Sequence, residues 1–273
     1  MSEFEFQRFV TIGQYLPTGS VVHRLDPRTR LLGGLLLLLA ITLTPRLSGL
    51  ALGLIVVLTI TVLARVPLGY ALRGVVPSLP FILFLALLQV LLGPGSAETT
   101  PLFSWGPIHI SVTSLISGAT IPPRFGGLIL LLTILSASTS TTEMVLGLER
   151  LLRPVGRLGL PIQDFVLMIQ VALRFLPLLA REAERIAKSQ ASRGAEWGTG
   201  RGGLLRRTRQ ALPILVPLFL VSLQRAEALA MAMEARGYRS DGRRTSMVAL
   251  NFRRGDYLAL LLSLIASAVI LVA

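Results

Sequence analysis

Two arginines stand in matching company. Arg193 lies in Ser192-Arg193-Gly194 and Arg236 in Ala235-Arg236-Gly237. Upstream, Glu184, Ile186 and Ala187 precede the first at the spacing with which Glu227, Leu229 and Ala230 precede the second. Both stretches obey Glu-x-(Ile/Leu)-Ala-x4-(Ser/Ala)-Arg-Gly. The glycine is expected to stop a helix in the left-handed conformation, which leaves a rigid fork of five donors at the tip. One such arginine does no more than offset a helix dipole, worth about 0.3–1 kcal/mol. Two equivalent tips on neighbouring helices suit a partner with two equivalent sockets. The chemistry expected at Ser192, Arg193, Gly194, Ala235, Arg236 and Gly237 is therefore recognition, without bond-making.

Residues with catalytic potential do not assemble elsewhere. The chain has no cysteine, so thiolate chemistry and disulfides are excluded. His23, Arg24, Asp26, Arg28 and Arg30 fall in one short segment. That set is too poor in ligands for a metal, and the expectation is that Asp26 pairs with a neighbouring arginine. The hydroxyl-rich run 138–142 lacks the Gly-x4-Gly-Lys-Ser/Thr of a phosphate loop and is read as satisfying helix-end amides. Lys188 is the sole lysine. No catalytic residue, metal ligand or cofactor site is expected in this chain, and any ATP must be hydrolysed elsewhere.

Composition places the chain in a bilayer. Of 273 residues, 52% are hydrophobic and 15% charged, with a mean hydropathy of +0.70, against about 25% charged in a soluble domain. Apolar runs occupy 31–44, 47–64, 75–92, 125–138 and 257–272. A span needs about 20 residues, so Arg30 and Arg46 are expected to snorkel and lengthen the first. The fourth extends back through 111–121 if a helix can pass Pro122 and Pro123, which supply no amide. The count is four to six, with five adopted. The first 22 residues lack the plan of a signal peptide, so the first run is expected to stay as an anchor.

Charge sets the orientation. The net charge of +13 is concentrated, with 19 of the 27 basic residues between 142 and 255 and none between 74 and 121. That asymmetry marks a large cytoplasmic segment and weighs against nucleic acid. The expected organisation is a cytoplasmic N-terminal segment 1–30, four transmembrane helices in 31–140, a cytoplasmic domain 141–255 and a last transmembrane helix 256–273. The N-terminus then lies in the cytoplasm and the C-terminus outside. The fold class is all-α, with about five membrane helices and a domain of long amphipathic helices.

Within 141–255 three helices are expected. The first opens at Thr142-Glu143 and is stopped by Pro154. The second, over 163–193, aligns Phe165, Ile169, Ala172, Leu176, Leu179, Ala183 and Ile186 on one stripe and Arg174, Arg181, Arg185 and Lys188 on another. The third covers 204–236, beyond a glycine-rich stretch from Gly194 to Gly203. Its Ala228–Met233 part is either helix filler or a surface that repacks against a partner.

Taken together, the chain resembles the transmembrane T component of energy-coupling factor transporters, related to the cobalt-transport permeases. The resemblance runs from about Gly13 to Asp256. It is carried by Gly19-Ser20-x-x-His23-Arg24-Leu25-Asp26-Pro27-Arg28-Thr29-Arg30, Ser140-Thr141-Thr142, Gly147-Leu148-Glu149-x-Leu151-Leu152-x-Pro154, Leu173-Arg174-Phe175-x-Pro177, Ser192-Arg193-Gly194 and Ala232-Met233-Glu234-Ala235-Arg236-Gly237-Tyr238. It implies that each small-Arg-Gly tip enters a groove on one of two cytoplasmic ATP-binding-cassette subunits, which hold ATP and Mg. It also implies that 141–255 is a coupling domain, and that a small substrate-binding membrane (S) subunit rests on its coupling helices. Vitamins or metal ions would be the cargo, taken up across a bacterial-type cytoplasmic membrane. Ser192 stands where the family usually has alanine, and the proline pair interrupts an otherwise smooth helix.

Two rivals differ in class. A self-contained secondary transporter would place ionisable groups at mid-bilayer, where only Arg124 is a candidate. A membrane-embedded transferase would cluster acids at the interface, and the 14 acidic residues form no such pair.

Overall fold

The computed structural model describes residues 15–92, 103–105, 108–154, 156, 161–194, 204–238 and 252–273. Helix α1 (Pro27–Leu43) starts where Asp26 accepts the Arg28 amide at 3.0 Å, with Pro27 in the first turn, where its missing amide costs nothing. Then come α2 (Leu47–Leu63), α3 (Leu68–Val75), a single 3-10 turn over Val76–Ser78 and α4 (Leu79–Leu92). Strands β1 (Phe103–Trp105) and β2 (Ile108–Ile110) form a small antiparallel hairpin with Ser104 opposite His109. Helices α5 (Val112–Ser138), α6 (Thr141–Leu152), α7 (Ile162–Ser192), α8 (Leu204–Ala235) and α9 (Arg254–Val272) complete the order.

Contacts divide the chain into two compact units. One comprises the described residues of 13–151 and 249–273, and the other those of 152–248. In the first, α1 lies along α9, α4 along α5, and α5 also touches α1, α2 and α3. Its core joins Leu37 and Ile41 of α1, Leu50 and Val57 of α2, Leu131 and Ile134 of α5 and Ile270 of α9. Helix α6, expected as the first helix of the coupling domain, groups with this frame. In the second unit α7 packs on α8.

The all-α membrane fold holds, with a two-stranded hairpin as its exception among the described residues. Among the described residues, five helical stretches are long and apolar enough to cross a bilayer: Leu68–Leu92, Val112–Ser138, Ile162–Ser192, Leu212–Ala235 and Arg254–Val272. The chain is a multi-pass membrane protein. Three of these stretches match expected spans. The first two expected spans are helices of 17 residues, about 25 Å at 1.5 Å per residue. Helix α5 takes the longer of its two readings and runs through Pro122 and Pro123. The 65–74 segment, between the apolar runs 47–64 and 75–92, is largely the amphipathic α3, which buries Ala71.

Arg30 corrects another expectation. Its guanidinium is turned inward at 3% exposure, because the Leu25 carbonyl just ahead of α1, the Ser138 carbonyl of α5 and the Glu143 carboxylate of α6 offer it acceptors. Arg46 does reach outward, and bonds the Val272 carbonyl at 2.9 Å.

Candidate functional site

The two arginine tips are built by the same local geometry. At the end of α7, Gly194 has φ +85° and its amide bonds the Ala191 carbonyl at 3.0 Å. At the end of α8, Gly237 has φ +77° and its amide bonds Glu234 O at 2.9 Å. There the Tyr238 amide also returns to Met233 O at 3.0 Å, which completes a Schellman cap. The left-handed cap that the sequence predicts is thus present twice. Arg193, Arg236 and the residues beside them, Ser192 and Ala235, are exposed. Among the described residues neither guanidinium has a hydrogen-bond or ion-pair partner. Ser192 turns its hydroxyl back onto Ser189 O at 2.8 Å, so it adds no polar group to the tip. The rest of the glycine-rich stretch, 195–203, lies outside the described residues.

Sequence spacing left open how the tips stand to each other. Arg225 of α8 meets Glu182 of α7 at 3.1 Å. Near the ends, the Tyr238 hydroxyl donates to Asp164 Oδ1 at 3.4 Å. Asp164 is in the first turn of α7, so the C-terminus of α8 sits beside the N-terminus of α7. The helices are antiparallel, and Arg193 and Arg236 mark opposite ends of α7. Its 31 residues set the separation at roughly 45 Å along the axis, from a rise of about 1.5 Å per residue. Neither Glu182–Arg225 nor Tyr238–Asp164 was legible in the sequence, since nothing in one helix marks its register on another. The repeat's own glutamates stay out of the tips. Glu184 pairs with Lys188 at 2.6 Å on its own helix and Glu227 is exposed.

The apolar surface of this pair is unburied. Phe165 and Leu176 of the expected stripe are exposed, as are Met168 on α7 and Phe219, Leu220, Leu223 and Met231 on α8. Among the described residues of α7 only Val166 and Ala187 are buried.

The His23–Arg30 segment is a structural knot. His23 Nδ1 bonds the hydroxyls of Ser20 at 2.7 Å and Thr18 at 3.2 Å, and among the described residues no cluster of His, Cys, Asp or Glu could hold a metal. Asp26 does pair with Arg28, at 3.8 Å. The sequence did not show the distant contacts. The Asp26 amide donates to Asp256 Oδ1 at 2.7 Å. Arg30 donates to the Ser138 carbonyl and meets Glu143 Oε2 at 3.1 Å. Arg124, the candidate for a mid-bilayer charge, donates at 2.6 Å to the carbonyl of Thr44, which caps α1.

Comparison with known proteins gives a consistent picture. A family described as cobalt transport protein matches residues 18–247. The chain is 40% identical over 248 residues to the "Energy-coupling factor transporter transmembrane protein EcfT" of Heliobacterium modesticaldum, covering 91% of each chain. To the protein of the same name from Brevibacillus brevis it is 38% identical over 261 residues, 96% of this chain and 97% of that one. To that of Bacillus subtilis it is 36% identical over 260 residues, 95% and 96% respectively.

Proposed function

The chain belongs to the cobalt-transport-protein family as a transmembrane T component of energy-coupling factor transporters, and from that premise we propose that it couples a separate ATPase pair to a substrate-binding membrane subunit. The chain hydrolyses nothing itself; ATP and Mg sit on two cytoplasmic ATP-binding-cassette subunits. The observation that carries this reading is the pair of exposed arginines, without a partner among the described residues, in matching glycine caps at opposite ends of α7. Two identical side chains held roughly 45 Å apart by one helix, at about 1.5 Å rise per residue, fit two equivalent sockets better than a single pocket. Each guanidinium needs an acidic or carbonyl acceptor once docked, because a buried unpaired charge is costly.

The unburied apolar faces of α7 and α8 support a membrane partner lying against them, the S subunit that carries vitamin or metal-ion cargo. The basic stretch 142–255 supports a cytoplasmic placement for the tips, with the N-terminus on the same side and Ala273 outside. A self-contained secondary transporter is the weaker reading. Arg124 bonds a helix-end carbonyl, and Asp26, Arg30 and Asp256 sit at helix ends, away from a mid-bilayer path.

The test is co-purification of the ATPases with Arg193→Glu/Arg236→Glu. The double variant should insert normally and lose both ATPases and their complex-bound ATP hydrolysis; single Arg→Ala changes should weaken them less. Retention of both at the wild-type level would reduce the tips to helix caps.

A further inference from the structure

We propose that residues 25–30, at the start of α1, are the mechanical junction through which displacement of the tip-bearing helices enters the membrane frame. The inference rests on the docking reading and adds where the motion goes. Residues 152–248, which include both tips, are joined to the frame by two leads. The chain leaves it through α6 and returns to it through α9. Both leads are fastened, at their first helical turns, to the same six residues.

On the outgoing side, Arg30 is the fastener. Its Nη2 meets Glu143 Oε2, in the first turn of α6, at 3.1 Å. Its Nη1 donates to Ser138 O in the last turn of α5, and its Nε to Leu25 O at 3.1 Å. Helix α6 also lies flush on α1, since a Cβ at Gly147 would come within 3.1 Å of both Pro27 Cβ and Leu31 Cδ1. On the returning side, Asp256 is the fastener. One carboxylate oxygen accepts the Asp26 amide at 2.7 Å and the other the Arg253 amide at 2.7 Å. Arg28 lies 5.1 Å from the centroid of the Phe252 ring, just ahead of α9.

Local helix capping does not account for this. The Asp26–Asp256 bond joins positions 230 apart, and the Arg30–Ser138 bond positions 108 apart. Asp256 is 2% exposed and Arg30 6%, so water cannot replace a lost partner and each contact resists being opened. A push or pull on α6 or α9 therefore moves the start of α1 with it. Motion propagates as rigid-body displacement where packing and hydrogen bonds leave no slack.

The experiment uses the complete complex with both ATPases. The chain lacks cysteine, so an environment-sensitive fluorophore is placed at Leu35→Cys, an exposed position on α1. Its signal is compared between nucleotide-free complex and complex with a non-hydrolysable ATP analogue. Two variants loosen the outgoing lead: Glu143→Gln removes the charge from a partly exposed carboxylate, and Gly147→Val wedges α6 away without touching any charge. The expected result is an ATP-dependent signal in the parent that shrinks several-fold in both variants, while the ATPases still co-purify and hydrolyse ATP. A network with only a stabilising role leaves that response at parental size, which overturns the proposal. So do a parent with no response and variants that shed their ATPases. Arg193→Glu/Arg236→Glu runs beside them. If that variant keeps its ATPases, the docking reading fails, while the fluorophore still reports whether the junction transmits.

Discussion

Arg30 and Arg193 are both arginines at helix ends, and their surroundings are opposite. Arg30 begins α1 almost without exposure and bonds acceptors from α5 and α6. Arg193 ends α7 in the open with no partner among the described residues. The same contrast runs through their units. In the frame, α1, α5 and α9 are tied by polar side chains at both ends. Asp26, Arg30 and Asp256 do this at one end, and at the other Arg124 and Thr44 do, with the Thr44 hydroxyl 3.1 Å from Ile270 O. The α7–α8 pair shows exposed apolar faces and a few surface ion pairs. The frame joins its helix ends through buried polar contacts, while the α7–α8 pair leaves the guanidinium donors of its two tips without a partner among the described residues.

Substitutions sharpen that contrast through stability, measured by thermal unfolding in detergent. Arg30→Leu should have the largest effect, a loss of about 3–5 kcal/mol, because it strands acceptors and a carboxylate that have lost their buried partner. An unfolding temperature like that of the parent would mean that the frame does not depend on this knot. Gly49→Ala comes next. Its Cβ would fall inside van der Waals contact of Ile270 O and 2.5 Å from Thr44 Cγ2, so about 1–3 kcal/mol should be lost to overpacking.

On the α7–α8 side the effects should be smaller. Glu182→Gln loosens the pairing with Arg225, whose side chain is 37% exposed. Partial solvent screening limits that loss to about 0.2–1 kcal/mol. Arg193→Ala with Arg236→Ala should fall within about 0.5 kcal/mol of the parent, as exposed substitutions do, while ATPase co-purification drops sharply. If that double change destabilised the chain as much as Arg30→Leu, the division between fixed frame and free tips would be wrong.

Much of the tip site was legible before the fold. A glycine after a long periodic run can only be a left-handed stop or a break, so Gly194 and Gly237 announced the caps. The long helices emerged within a residue or two of 163–193 and 204–236, because periodicity extends over many turns. Boundaries suffered where the signal was short. Helix α3 went unnoticed between two apolar runs because eight residues with one arginine carry too little period. Arg30 was misplaced outward because a sequence shows a charge beside an apolar run but not the acceptors that other helices bring to it.

The sequence by itself determined that this protein is all-α and membrane-embedded, that two helices end in equivalent arginine tips, and that no phosphate loop is present. These are properties of composition and of neighbours a few positions apart along one helix. Tertiary structure alone decided that the tips stand at opposite ends of an antiparallel pair, and that Asp256 closes on Asp26 from 230 positions away. It also decided that Arg30 turns inward. Those outcomes depend on which helix faces come together. Burial then makes the pairing strong, because a charge taken out of water must find its partner in the protein.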